Sequence, residues 1–152
     1  MRFHEVIHSV YFDDLDAFQI LHNARHLLLL ERTIGDFWRR MGMGGPLQAV
    51  NNPDQYHLVR VNHFEYHHPV RDVTEVRVRI WIERLGRSSL TFAFRMLAVD
   101  EELAYATGHR VLVRVDSESK APVAWSEAFR EIMAPYRADI TDQTGQHHGN
   151  TV

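Results

Sequence analysis

The run ARHLLLLERTIGDFWRRM, residues 24–41, holds no proline and one glycine, Gly35, and its apolar positions Leu27, Leu30, Ile34, Trp38 and Met41 recur at three- and four-residue spacing. That period predicts an α-helix. Leu28, Leu29 and Phe37 widen the apolar stripe, while Arg25, Arg32, Asp36 and Arg39 fall on the opposite side, with Arg32 and Asp36 four apart. Only a narrow strip is left for water, so the helix is expected at the centre of the fold. Asn23 suits its N-cap, Arg39 and Arg40 lie where the helix dipole favours cations, and Gly42 can close the last turn in left-handed geometry.

Strand patterns surround this helix. Residues 3–12 are mostly β-branched, aromatic or histidine and predict a first strand, ended by the turn-forming cluster Asp13, Asp14 and Asp16. Residues 43–54, rich in Gly, Pro and Asn, read as a loop. In residues 74–85, Val76, Val78, Ile80 and Ile82 alternate with Arg77, Arg79, Trp81 and Glu83, which predicts a strand with one buried face. Leu90, Phe92, Phe94 and Met96 repeat the period after a turn at Leu85-Gly86-Arg87-Ser88, and Val111, Val113 and Val115 repeat it after Gly108. Residues 57–66 are a weaker strand of the same kind, and Ser126 can cap a short helix through Met133, halted by Pro135. Past Tyr136 the chain turns polar, which predicts one folded domain over residues 1–137 and a disordered tail over residues 138–152. A helix segregated from a run of antiparallel strands indicates an α+β domain. One helix covers such a sheet only in part and leaves edge strands open, so a homodimer or homotetramer is expected.

Composition removes other classes. The 152 residues suffice for one domain with a core, and 17 basic against 20 acidic side chains, a net charge of −3, offer no field for collecting nucleic acid. Without cysteine there is no disulfide frame, thiolate nucleophile or Cys-type metal site. No apolar run resembles a secretion signal or reaches the roughly 18 residues of a membrane span, so a soluble, cytoplasmic protein is the expectation. The G-x-S-x-G elbow, the phosphate loop and the dinucleotide fingerprint are absent, and Lys120 is the only lysine. Histidine is abundant, at 11. His63, His67 and His68 could suggest metal, but on a strand His63 and His67 would stand about 13 Å apart, which favours structural or ligand-lining roles for the group over metal binding. His147 and His148 read as an exposed polar pair.

The stretch VYFDDLDAFQILHNARH, residues 10–26, brings a carboxylate, an imidazole and a carboxamide to the start of the helix. The first amides of a helix have no internal partners, and its dipole favours developing negative charge, so such a start can hold a polarised carbonyl oxygen. A carboxylate beside it could activate water or attack directly.

These residues resemble the active-site segment of hotdog-fold acyl-CoA thioesterases of the 4-hydroxybenzoyl-CoA thioesterase group. The resemblance runs through Asp14-Leu15-Asp16-Ala17, His22-Asn23-Ala24 and Glu31-Arg32. It continues in Tyr66-His67-His68-Pro69-Val70, in the hairpin Leu85-Gly86-Arg87-Ser88-Ser89-Leu90, and from Ala106-Thr107-Gly108 to Asp116. It implies a curved antiparallel sheet wrapped around one long central helix, with sites at a dimer interface. It further implies Asp16 as catalytic carboxylate with His22 and Asn23 as helpers, and the amide near Asn23 or Ala24 as oxyanion donor. His67, Arg87, Ser88 and Ser89 are implied as substrate contacts, and the pantetheine arm along the strand that begins near His57. No metal or other cofactor is implied. The chain departs from relatives at Phe18 or Gln19, where glycine is common, at Leu15, often small and polar, and at His26, often tyrosine.

Each residue also has a plainer reading. Asp16 can be a turn carboxylate, His22 can satisfy a backbone carbonyl, and Asn23 can be only a helix cap. Glu31 can pair with a buried arginine or supply a second carboxylate, and Arg87, Ser88 and Ser89 can be an ordinary hairpin turn. The function expected is hydrolysis of an acyl-CoA or acyl-carrier thioester to free acid and thiol; the alternative is a non-catalytic acyl-thioester binding module on the same scaffold.

Overall fold

The computed structural model describes residues 1–47 and 52–140. Strand β1 (His4–Val10) leads through a 3-10 turn, Phe12–Asp14, and a loop into helix α1 (Asn23–Arg40). Strands β2 (His57–Tyr66), β3 (Thr74–Leu85), β4 (Ser89–Leu97) and β5 (Ala104–Arg114) follow, then helix α2 (Glu127–Met133). Every strand pairing is antiparallel, and the five strands form one curved sheet in the order β1-β3-β4-β5-β2. The α+β expectation is met.

The alternation along β3 sorts its side chains as the sequence demands. Val76, Val78, Ile80 and Ile82 turn inward with Leu90, Phe92, Phe94 and Met96 of β4 and with Ala106 and Leu112 of β5. They meet Leu29, Leu30, Ile34 and Phe37 of α1, and each large apolar side chain so buried contributes about 1.5–3 kcal/mol. A register shift between Ile82 and Arg84 brings Leu85 back to the inner face. At the far end Trp125 stacks on Phe129 of α2, ring centroids 4.2 Å apart.

Helix α1 is rotated from the expected stripe. Its buried residues are His26, Leu29, Leu30, Thr33, Ile34 and Phe37, whereas Leu27 is 37% exposed. Four successive leucines leave the facing direction open, and two polar groups settle it because each finds a partner inside. The Thr33 hydroxyl donates to the Leu29 carbonyl at 2.8 Å and meets His8 Nε2 at 2.7 Å, and His26 Nδ1 lies 3.3 Å from the His22 carbonyl oxygen. The helix also starts one residue earlier than expected. His22 is its N-cap, and Asn23 is its first helical residue rather than the cap. The C-terminal end agrees with the sequence reading, with Gly42 at a φ of +77°.

Two features tie β2 to the body. Gly108 on β5 lies so close to β2 that a Cβ there would fall 1.8 Å from the His63 carbonyl oxygen. Arg110, fully buried on β5, donates from Nε to Asn62 Oδ1 on β2 at 2.7 Å, and its Nη2 stands 2.5 Å from Glu31 Oε1 on α1. Glu31 thus takes the ion-pair role. The outer side of β2 has no strand neighbour among the described residues, and Leu58, Val59 and Val61 are exposed along it. Of the stretch expected as a disordered tail, residues 141–152, with His147 and His148, lie outside the described residues, as do residues 48–51 of the expected loop.

Candidate active site

The loop between β1 and α1 is pinned from both sides. Within it, Leu15 bridges Leu21 and the Asp16 N–H donates to the Ile20 carbonyl at 2.8 Å. Outside it, Ile20 bridges Arg71 and the Leu21 N–H donates to the Val70 carbonyl at 2.8 Å, so the connection after β2 clamps the loop. The His22 N–H donates to the Asp14 carbonyl at 3.0 Å, which sets the entry into α1. Gln19 carries the turn at a φ of +62°, a left-handed conformation that glycine adopts without penalty. Phe18, beside it, is 80% exposed.

A cleft of about 390 Å³ opens between this loop, the first turn of α1 and the end of β2. Asp16, Ile20, Leu21, His22, Asn23 and His26 line one side, and Tyr66, His67, His68 and Pro69 the other. Asp16 Oδ1 accepts from the Phe18 N–H at 2.8 Å and the Ile20 N–H at 3.2 Å, while Oδ2 has no partner among the described residues. The carboxylate therefore anchors its loop with one oxygen and leaves the other for the cleft. His22 Nδ1 accepts from the Ala24 N–H at 3.2 Å, and Asn23 Oδ1 accepts from the same N–H at 2.9 Å. The Ala24 amide is thus occupied. The Asn23 N–H has no acceptor among the described residues and is the free amide at the helix start.

The opposite wall is aromatic and polar. The Tyr66 hydroxyl donates to the Asn23 carbonyl at 3.3 Å, and burial raises the Tyr66 pKa from its ordinary value, so the phenol stays protonated. His67 Nε2 lies 2.7 Å from the Thr107 hydroxyl, and the His67 and His68 N–H groups both donate to the Tyr105 carbonyl. Burial lowers the pKa of His26 below 6.5 against the raising effect of the carbonyls of His22 and Asn23.

Of the residues singled out from sequence, Asp16, His22, Asn23 and His67 border this cleft and the Ala24 amide lies at its edge. Arg87, Ser88 and Ser89 do not line it. Arg87 and Ser88 lie in the turn between β3 and β4 and Ser89 opens β4; the Arg87 carbonyl takes the Trp125 N–H and the Ser88 carbonyl takes the Arg114 N–H. Sequence reasoning grouped His68 with His63 and His67 as structural or ligand-lining and gave Tyr66 and His26 no role, although Tyr66 stands beside His67 in the chain. Among the described residues no group of three or more His, Asp or Glu side chains is placed to hold a metal ion. No helix of the described residues is long and apolar enough to cross a membrane.

A curved five-stranded antiparallel sheet packed on one long helix is the hotdog fold of the thioesterases. The family model for the thioesterase-like superfamily matches residues 10–133, and the chain belongs to that superfamily. Among the solved structures that share the fold are the following three. A 1,4-dihydroxy-2-naphthoyl-CoA thioesterase from Synechocystis is 10% identical, over 88% of this chain and 96% of its own, with a TM-score of 0.72. The dynemicin thioesterase is 18% identical, over 90% and 98%, with a TM-score of 0.73. A hypothetical protein from Staphylococcus aureus, solved in complex with CoA, is 15% identical, over 99% and 96%, with a TM-score of 0.77. No curated protein matches the chain.

Proposed function

We propose that this thioester hydrolase acts on acyl-CoA, with Asp16 as its general base. The observation that carries the reading is the pairing, in one cleft, of a carboxylate oxygen, Asp16 Oδ2, with a helix-start amide, the Asn23 N–H, neither of which has a partner among the described residues. Chemistry at a thioester needs both. An acceptor must remove a proton from water as its oxygen adds to the carbonyl carbon, and a donor must hold the negative charge that appears on the carbonyl oxygen. The α1 dipole adds to that donor, and the clamp from Val70 and Arg71 holds it in place. Collapse of the tetrahedral intermediate breaks the C–S bond, and the thiolate leaves with a proton as free thiol.

The CoA bound by the Staphylococcus aureus neighbour supports a coenzyme A thiol over a carrier protein. The sequence resemblance assigns Arg87, Ser88 and Ser89 to substrate contact, and since they lie off the cleft of their own chain, that role requires a second subunit to bring its hairpin to the site. A homodimer joined along the open outer side of β2 is the arrangement this favours. Thiol release measured over a panel of acyl-CoAs tests the reading. Turnover with at least one of them is the expected result; saturable binding of acyl-CoA without thiol release would instead make the protein a binding module.

A further inference from the structure

His26 is buried, borders the cleft and has no part in the steps above. Its ring is held from two sides. Nδ1 lies 3.3 Å from the His22 carbonyl oxygen, an atom that can only accept, so Nδ1 carries the proton. The ring meets Tyr66 edge-on, centroids 4.9 Å apart at 84°, which fixes its plane. A neutral imidazole protonated on Nδ1 presents Nε2 as a bare acceptor. That atom has no hydrogen-bond partner among the described residues, and it is not among the fully buried side-chain atoms there that lack a hydrogen bond. Nε2 therefore meets open space, and the open space this side chain borders is the cleft.

His22 is protonated the other way round. Its Nδ1 accepts from the Ala24 N–H, so the proton sits on Nε2 and the ring offers a donor. Among the described residues the cleft then carries two donors without a partner, the Asn23 N–H and His22 Nε2–H, and two acceptors without one, Asp16 Oδ2 and His26 Nε2. A thioester oxygen needs donors and a water molecule about to attack needs acceptors.

We propose that His26 is a positioning residue for the attacking water, which donates one hydrogen to Asp16 Oδ2 and the other to His26 Nε2 and so turns its lone pair toward the thioester carbon. The assignment rests on the thioesterase reading. As the water oxygen adds to the carbonyl carbon, the O–H bond facing Asp16 breaks and the carboxylate takes that proton. The other hydrogen stays on oxygen and keeps its bond to His26. When the C–S bond breaks, its electron pair leaves with sulfur, and the proton on Asp16 passes to the thiolate, giving carboxylic acid and thiol.

Protonation of Nε2 would abolish the acceptor, so the rate should fall as pH drops through the lowered pKa of His26. The titratable groups around it are Asp16 and His22 on the loop, Arg25 on its own helix, and Tyr66, His67 and His68 from β2 and the residues after it. Thiol release by wild type, His26→Phe, His26→Gln and Asp16→Asn, over about pH 5 to pH 8, tests the assignment. Phenylalanine keeps an aromatic edge for Tyr66 but accepts nothing; glutamine accepts but does not titrate. The expected result is a loss in kcat of about tenfold to thirtyfold in His26→Phe with KM held within about twofold. Partial recovery in His26→Gln, with disappearance of the acid limb below pH 6.5, completes it. A wild-type kcat in folded His26→Phe, or a wild-type acid limb in His26→Gln, overturns the assignment. If only Asp16→Asn is impaired, the thioesterase reading stands without it; if wild type releases no thiol, both fall.

Discussion

Asp16 holds its two carboxylate oxygens in different surroundings. Oδ1 is a turn acceptor for the amides of Phe18 and Ile20, and Oδ2 remains available to the cleft. The division shapes the choice of variant. In Asp16→Asn the side-chain oxygen can still take both amides, so the loop should hold and the thermal midpoint should stay within a degree or two of wild type, about the shift expected for a change under 0.5 kcal/mol. Loss of activity in that variant would then report chemistry rather than unfolding. A large drop in its midpoint would show that the charge itself, rather than the acceptor geometry, supports the loop.

Among the elements, β2 depends most on a single position. A Cβ at Gly108 would meet the His63 carbonyl oxygen at 1.8 Å and the Phe94 ring at 2.7 Å, and backbone cannot yield as a flexible side chain can. Gly108→Ala should therefore destabilise the protein by about 3 kcal/mol, at the upper end for overpacking, through displacement of β2 from β5. Chemical denaturation checks it, and an unchanged midpoint would contradict the close approach. The strands themselves were legible: β2, β3 and the α2 boundary coincide with the expected ranges because alternation and a serine cap are local signals. The facing direction of α1 was not, since Leu27 to Leu30 are all apolar and the outcome turned on where His26 and Thr33 could be satisfied. The cleft was half legible. The Asp16 and His22 side announces itself within one short stretch, whereas Tyr66, His68 and Pro69 are brought opposite by the clamp between Ile20 and Arg71, a contact across fifty residues that no local pattern encodes.

The molecule as a whole should lose stability on mild acidification. Burial lowers the pKa of His4, His8, His26 and His57 below 6.5, so the unfolded chain binds protons that the fold refuses. Their contribution is complete above pH 6.5 and is lost as pH falls from 6.5 through their lowered folded values. Asp36, held well below the usual carboxylate range by Arg39 and Arg40, acts in a separate window that opens only below its ordinary 3.8. Urea midpoints should thus be level near neutrality and decline from about pH 6.5 downward; a midpoint that rises between pH 6.5 and pH 5 would contradict it. The open side of β2 sets a second expectation, a solution mass of at least twice the 17.8 kDa chain by light scattering, with a single-chain mass refuting assembly through that edge. The claim that binds fold, cleft and family together is that Asp16 drives thioester hydrolysis. Its most direct test is the rate of thiol release by Asp16→Asn with an acyl-CoA that wild type turns over. A fall of about 10² to 10⁴ in kcat with the fold intact is predicted, and a rate equal to wild type would contradict it.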